Sequence, residues 1–424
     1  MSDQDKRLGV YFHIPFCASK CAYCDFCSLP GRDKLMPYYQ DALLIQLQET
    51  MPRMTDYFID TVYFGGGTPS YYGARRIVEI LQELKVTNRL MKQSEITVEC
   101  NPDSVRRKEL RMLRKEGVNR LSIGAQSAND DILRLIGRRH NWRQVEMAVK
   151  RARKAGFRNV SLDLIYGLPS QTREDWADTL TKALALKPAH ISCYGLRLEE
   201  GTPMYDEYEG TDILPSDDDQ ADMYLYAVDF LSRHGFRQYE ISNFARPGYE
   251  SRHNLKYWRL DDYIGFGAAA ASNIGLLRYT YTHNVREYIS GVLGDKGIIA
   301  EEEELTPFDR ASEYLMLGMR TAHGISERDY RIRCQYNWKP IGQTLQAFAE
   351  KGWAEKTGDR WHFTVPGYLI SNTLIGILLE AQAGGRIEGT PWLSEVFEAE
   401  KKINIPKSEE ELFTELYNQH TEKN

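Results

Sequence analysis

Between residues 9 and 200 one pattern recurs six times: a short apolar run followed by a helical stretch. The runs fall at 9–14, 61–64, 95–100, 120–124, 159–165 and 190–194. Helical periodicity follows near 35–51, 74–85, 104–116, 128–136, 142–155 and 173–186. Strand–helix alternation of this kind builds a parallel sheet with helices outside it. An open doubly wound sheet and a curved partial barrel both satisfy it.

The residues within each run say what the inner face holds. Strands covered on both faces are apolar almost throughout. Here Ile96 and Val98 alternate with Thr97 and Glu99, Leu121 and Ile123 with Ser122 and Gly124, and Leu162 and Leu164 with Ser161 and Asp163. One face of each strand is therefore small or polar. The larger polar groups stand toward the C-terminal strand ends, where parallel α/β sheets place their sites.

Beyond 215 the text changes. A helix near 217–234 precedes an aromatic-rich, strand-like stretch, and 303–322 reads as another helix. A helix at 341–351, a hairpin at 353–363 turning at Thr357, Gly358 and Asp359, and a helix near 367–380 together resemble a winged-helix module. A chain of 424 residues is long for a single core. The expected division is 1–295 for the barrel with its β-rich extension, 296–385 for the winged-helix-like unit and 386–424 for a charged tail.

Charge and hydropathy narrow the setting. The net charge of −6 argues against bulk nucleic-acid binding, which needs clustered positive charge. No stretch approaches the ~18 apolar residues that span a bilayer. The first ten residues are polar, without a signal-peptide core, so a cytoplasmic protein is expected.

Four of the seven cysteines lie between positions 17 and 27. Cys17, Cys21 and Cys24 have the spacing C-x3-C-x2-C directly after the first strand. Such a cluster in a large chain without secretory features suggests metal binding rather than disulfides. Structural zinc draws its ligands from two separated pairs, and no second C-x-x-C pair lies apart from this loop. A dense thiolate run suits an iron–sulfur cluster, and three ligands leave one iron open.

This spacing, with Tyr23 in the aromatic position, resembles the radical S-adenosylmethionine (SAM) superfamily. The resemblance implies a four-iron, four-sulfur cluster on Cys17, Cys21 and Cys24, with SAM on the open iron and Tyr23 close to it. The segment Gly65, Gly66, Gly67, Thr68 and Pro69 is similar to the family's loop against the methionine amine of SAM. By the same resemblance, Glu99, Gln126, Arg138 and Asp163 match cofactor-contacting positions. Their chemistry agrees: carboxylates accept from ribose hydroxyls or an amine, and arginine pairs with a carboxylate. Tyr11 shares strand parity with His13 and is expected to face the same cavity.

The match runs from about residue 8 to the 380s and is nearest to the oxygen-independent coproporphyrinogen III oxidase group. That group combines a partial (β/α)6 barrel with a C-terminal helical, winged-helix-like domain. Two features resemble its haem-chaperone branch rather than its oxidases. The first cluster cysteine is already at position 17, and Phe26 stands where oxidases carry a fourth cysteine. His253, Asn254, Tyr257 and Trp258 match that branch's haem-associated H-N-x-x-Y-W motif. The resemblance implies haem as cargo with His253 as the iron ligand, and transfer to haem-accepting proteins without coproporphyrinogen oxidase activity. It also implies an electron donor, and admits a homodimer and membrane contact through the acceptors. Oxidative decarboxylation of coproporphyrinogen III and radical methyl or alkyl transfer are the rival activities.

Overall fold

A computed structural model describes residues 6–87, 89–334 and 337–384. The expected tail, 386–424, lies outside the described residues. Six parallel strands form the centre: β1 (Lys6–Ile14), β2 (Tyr57–Gly66), β3 (Arg89–Cys100), β4 (Arg120–Gln126), β5 (Asn159–Tyr166) and β6 (His190–Gly195). Between them run α1 (Met36–Thr50), α2 (Ala74–Thr87), α3 (Arg107–Glu116), α4 (Trp142–Lys154) and α5 (Arg173–Ala185). Sequential parallel order with a helix in every crossover is the (β/α)6 partial barrel.

The sheet extends at both edges. Past β6, helix α6 (Asp217–Arg233) leads to β7 (Arg237–Glu240) and β8 (Asn243–Ala245). Past β1 lie β9 (Tyr263–Phe266), β10 (Ala271–Ile274), β11 (Leu277–Tyr281) and β12 (Ile299–Glu304). The full order is β12-β11-β10-β9-β1-β2-β3-β4-β5-β6-β8-β7. Strand β12 pairs with β11 in this sheet. The same pairing corrects the helix expected from 303. Glutamates 301–304 are strand residues at the sheet edge, and the helix begins at Pro307, capped by the Thr306 hydroxyl.

Parity holds as the alternation requires. Phe12, Phe64 and Phe266 stack on the outer face, with centroids 4.8 and 5.3 Å apart, beneath the helices. The opposite residues look inward: Tyr11 lies beside Tyr63, Glu99 beside Ser122, and Asp163 between Gly124 and Ser192.

One short helix, α7 (Arg252–Arg259), packs against this interior. The Glu95 carboxylate accepts its first N–H groups, from Arg252 at 3.2 Å and His253 at 3.0 Å. A carboxylate at a helix N-terminus meets both unpaired donors and the positive end of the dipole. Lys256 pairs with Asp60 at 2.8 Å, both buried. A second core, with Leu315, Ile341, Phe348, Trp353 and Leu378, organises the C-terminal unit around a three-stranded sheet. Tyr224 and Leu225 of α6 enter that core, joining the two units.

Candidate functional site

The cysteine loop leaves β1 at Pro15 and is pinned by the chain that ends β2. Gly67 N–H donates to Ile14 O at 2.9 Å, and Thr68 N–H to Phe16 O at 2.9 Å. A Cβ on Gly67 would stand 2.8 Å from the Pro15 carbonyl carbon and 3.0 Å from Cys17 Sγ. Only glycine permits that approach. The triple glycine is thus the seat of the cysteine loop.

Polar side chains fix the thiols from below. Thr68 Oγ1 lies 3.3 Å from Cys17 Sγ and accepts from Asn101 Nδ2 at 3.3 Å. Arg138 donates through Nη2 to Asn101 Oδ1 and Gly124 O, both at 2.9 Å, and through Nη1 to Cys21 Sγ at 3.5 Å. Its Nε is buried without a partner. Gln126, at the end of β4, has φ of 64°, in the left-handed region that non-glycine residues avoid. Strain of this sort persists where a site requires it.

Two half-buried carboxyls line the same interior. Tyr63 OH donates to Glu99 Oε1 at 2.8 Å, and burial pushes the Glu99 carboxyl up to about 7. Asp163 Oδ1 accepts from Ser192 at 2.9 Å, Ser122 at 3.0 Å and Ser161 at 3.3 Å. Burial raises its carboxyl, and these hydroxyls with the Arg120 cation oppose the rise.

A cavity of about 340 Å³ gathers Cys17, Cys21, Tyr23, Cys24, Gly66, Gly67, Thr68, Glu99, Gln126, Arg138 and Asp163 along its wall. All those residues were expected from the sequence. Asn101, Arg120, Ser122 and Ser192 also line it and were not singled out. Ser122 and Ser192 flank Asp163 at or beside its own level in the sheet, so parity and register together would have found them. The fully buried Arg120 stands on the interior face of β4, its Nε and Nη1 without hydrogen-bond partners. Among the described residues, no three His, Cys, Asp or Glu side chains converge on one ion. The cysteines of a cubane each hold a different iron, so thiols ringing a space suit a cluster. The residues present therefore fit a cluster and a small polar ligand beside it.

A second cavity, of about 600 Å³, adjoins the first and shares Tyr63, Glu99, Tyr194 and Asn254 with it. It reaches Leu317 of the C-terminal unit and is walled by Tyr11, Tyr257, Trp258 and Tyr263. Tyr11 lines this cavity rather than the one with the cysteines, its hydroxyl 3.1 Å from His13 Nδ1.

His253, expected as the haem-iron ligand, lies behind the cavity wall rather than on it. Its side chain is 0% exposed and does not line the cavity. Nδ1 is 2.9 Å from Thr61 Oγ1 and Nε2 is 2.8 Å from Tyr257 OH, so neither nitrogen is free. Burial, with Lys256 and Arg120 nearby, holds the ring neutral, its pKa lowered to about 3.

Comparison with known proteins agrees with this geometry. The radical SAM superfamily pattern matches residues 11–183, and the HemN C-terminal domain matches residues 305–370. The chain is 35% identical over 380 residues to "Heme chaperone HemW" of Bacillus subtilis, covering 88% of this chain and 99% of the relative. It is 32% identical to the Escherichia coli protein of the same name, covering 88% and 98%. Among solved structures it is similar to coproporphyrinogen III oxidase (HemN) from Escherichia coli. The TM-score is 0.78 at 24% identity, over 88% of this chain and 90% of that one, a likeness of fold. Cysteine loop, glycine seat and whole-length similarity converge: the chain belongs to the HemW haem chaperone family of the radical SAM superfamily.

Proposed function

We propose that this protein holds a four-iron, four-sulfur cluster and SAM in the smaller cavity, binds haem in the adjoining aromatic cavity, and hands the haem to acceptor proteins. The observation that carries the reading is the joined pair of cavities: a thiol-ringed polar one opening into a larger one walled by aromatic rings. A cavity of this size and lining suits a large planar ligand. Relatives that match the chain nearly end to end bear the name haem chaperone.

Cys17, Cys21 and Cys24 would ligate the cluster. When bound, such a cluster supplies single electrons to the sulfonium of SAM. The chain's own side chains do the positioning. Arg138 and Thr68 set donors beside the thiolates of Cys21 and Cys17, and Asn101 fixes both. Three serines hold Asp163 in one orientation. Only Ser122 among them reaches Oδ2, which keeps acceptor capacity for a ligand hydroxyl. Glu99, steadied by Tyr63, stands where both cavities meet. The reading includes a cytoplasmic location, an outside electron donor and haem-accepting partners. Homodimerisation and membrane contact through the acceptors belong to the same proposal. No helix among the described residues is long and apolar enough to cross a membrane.

Two measurements test the assignment of the cavities. Losing a charged hydrogen-bond partner in a buried site costs on the order of 1–3 kcal/mol, or about ten- to a hundredfold in affinity. Asp163→Ala and Glu99→Ala are expected to weaken SAM binding by that factor at unchanged iron content. Unchanged SAM affinity in both would place the cofactor elsewhere. Titration of the intact protein with haem is expected to saturate at one haem per chain with a Soret band. Absence of saturable binding would remove the haem reading.

A further inference from the structure

Among the described residues no histidine lines the larger cavity, yet a histidine stands directly behind one of its tyrosines. Resting on the haem reading above, we infer that the iron ligand in this cavity is the phenolate oxygen of Tyr257, and that His253 is a positioning residue behind it.

Access decides the first point. A ligand must reach the cargo, and Tyr257 lines the cavity while His253 is fully buried outside its wall. The Tyr257 ring is held in place by edge-on contacts with Tyr263 at 4.6 Å and His253 at 5.2 Å between centroids. Its neighbour Trp258 and the Tyr11 ring line the same cavity and offer a flat bed for a porphyrin.

Hydrogen bonding decides the second. Both partners of the His253 ring, Thr61 and Tyr257, are hydroxyls, which donate or accept as needed. In the tautomer with its proton on Nε2, His253 donates to the Tyr257 oxygen and accepts from Thr61. The phenolic proton is then free to point into the cavity. Ligation balances simply: the Tyr257 O–H bond breaks, one proton leaves to solvent through the cavity, and an iron–oxygen bond forms. No electron moves. The Nε2–H of His253 then donates to the bound phenolate, as second partners of metal ligands commonly do. Tyrosinate is an established axial ligand type for haem iron, and its hard anionic oxygen suits the ferric state. A site of this kind favours ferric haem.

Tyr11 is the internal control. It too lines the cavity with a histidine behind it, His13 at 3.1 Å. It stacks on Tyr63 and His253 along the barrel wall rather than standing on α7 beside Trp258.

The test uses ferric haem and the intact protein, with Tyr257→Phe, His253→Gln and Tyr11→Phe alongside the wild type. Visible and electron paramagnetic resonance spectra report the axial ligand, and iron content with SAM binding reports the fold. The wild type is expected to show a high-spin ferric signal with a phenolate-to-iron charge-transfer band that vanishes on reduction. Tyr257→Phe should lose that band, with affinity for ferric haem falling about tenfold or more. His253→Gln should keep the band at a shifted position, and Tyr11→Phe should leave it unchanged. Imidazole-type spectra that survive in Tyr257→Phe and disappear in His253→Gln would overturn the inference while leaving haem binding intact. Loss of the band in Tyr11→Phe alone would overturn the choice of tyrosine. A wild type that binds no haem would overturn the underlying reading as well.

Discussion

Alanine at Cys17, Cys21 or Cys24 is expected to abolish the iron–sulfur cluster outright. Reconstituted without oxygen, the wild type should carry about four irons per chain, and each variant close to none, because every ligand holds its own corner. The reduced wild type should also give a paramagnetic signal that changes on adding SAM. Cys27→Ala should behave as wild type. Its thiol turns away from the cysteine cavity and donates to the His283 carbonyl at 3.3 Å. The exposed Phe26, not Cys27, completes the cavity wall on that side. Stoichiometric zinc in place of iron, or loss of iron in Cys27→Ala, would contradict the ligand set.

A large effect on stability is expected from Glu240→Gln, and it should depend on pH. Glu240 is fully buried on the wall of the larger cavity. Its carboxylate accepts from Ser242 N–H at 2.8 Å and from the Asn243 side-chain amide. Burial nevertheless pushes the carboxyl up to about 7. In the unfolded chain a glutamate titrates near 4.3. Between those values the folded protein keeps a proton that the unfolded chain has lost. Stability therefore falls as pH rises from about 4 to about 7 and stays at that lower level above. A shift of this size bounds the cost at about 4 kcal/mol. Glutamine carries no such cost. The variant should be more stable than the wild type by about 1–3 kcal/mol at pH 8, with the advantage vanishing near pH 4–5. Denaturation midpoints at the two pH values check this. An equal difference at both would show that Glu240 does not hold its proton.

The barrel and most of the smaller cavity are legible in the sequence because their signals are local. Period-two alternation in β3, β4 and β5 fixes which face Glu99, Ser122 and Asp163 share. The cysteine spacing and the glycine run each mark a single loop. What stayed hidden depends on contacts between distant segments. Glutamates 301–304 favour a helix by propensity, and pairing with Leu277–Tyr281 overrides it at the sheet edge. The occlusion of His253 follows from the docking of α7 onto Glu95, Asp60 and Thr61, residues more than 150 positions away. No periodicity encodes that docking. Of that motif, Tyr257 and Trp258 line the cavity, and His253 stands behind them. The larger cavity was equally invisible, since its walls come from β1, β2, α7, β9 and the C-terminal unit together.

On the proposed function, the protein carries haem rather than making its precursor. The most direct test mixes the cluster- and SAM-loaded protein, without oxygen, with coproporphyrinogen III in one vessel. In a second, the haem-loaded protein meets a haem-free acceptor protein. A haem carrier should leave no decarboxylated porphyrinogen in the first vessel and pass the Soret absorbance to the acceptor in the second. Conversion of coproporphyrinogen III to protoporphyrinogen IX over many turnovers, with haem retained in the second vessel, would contradict the proposed function.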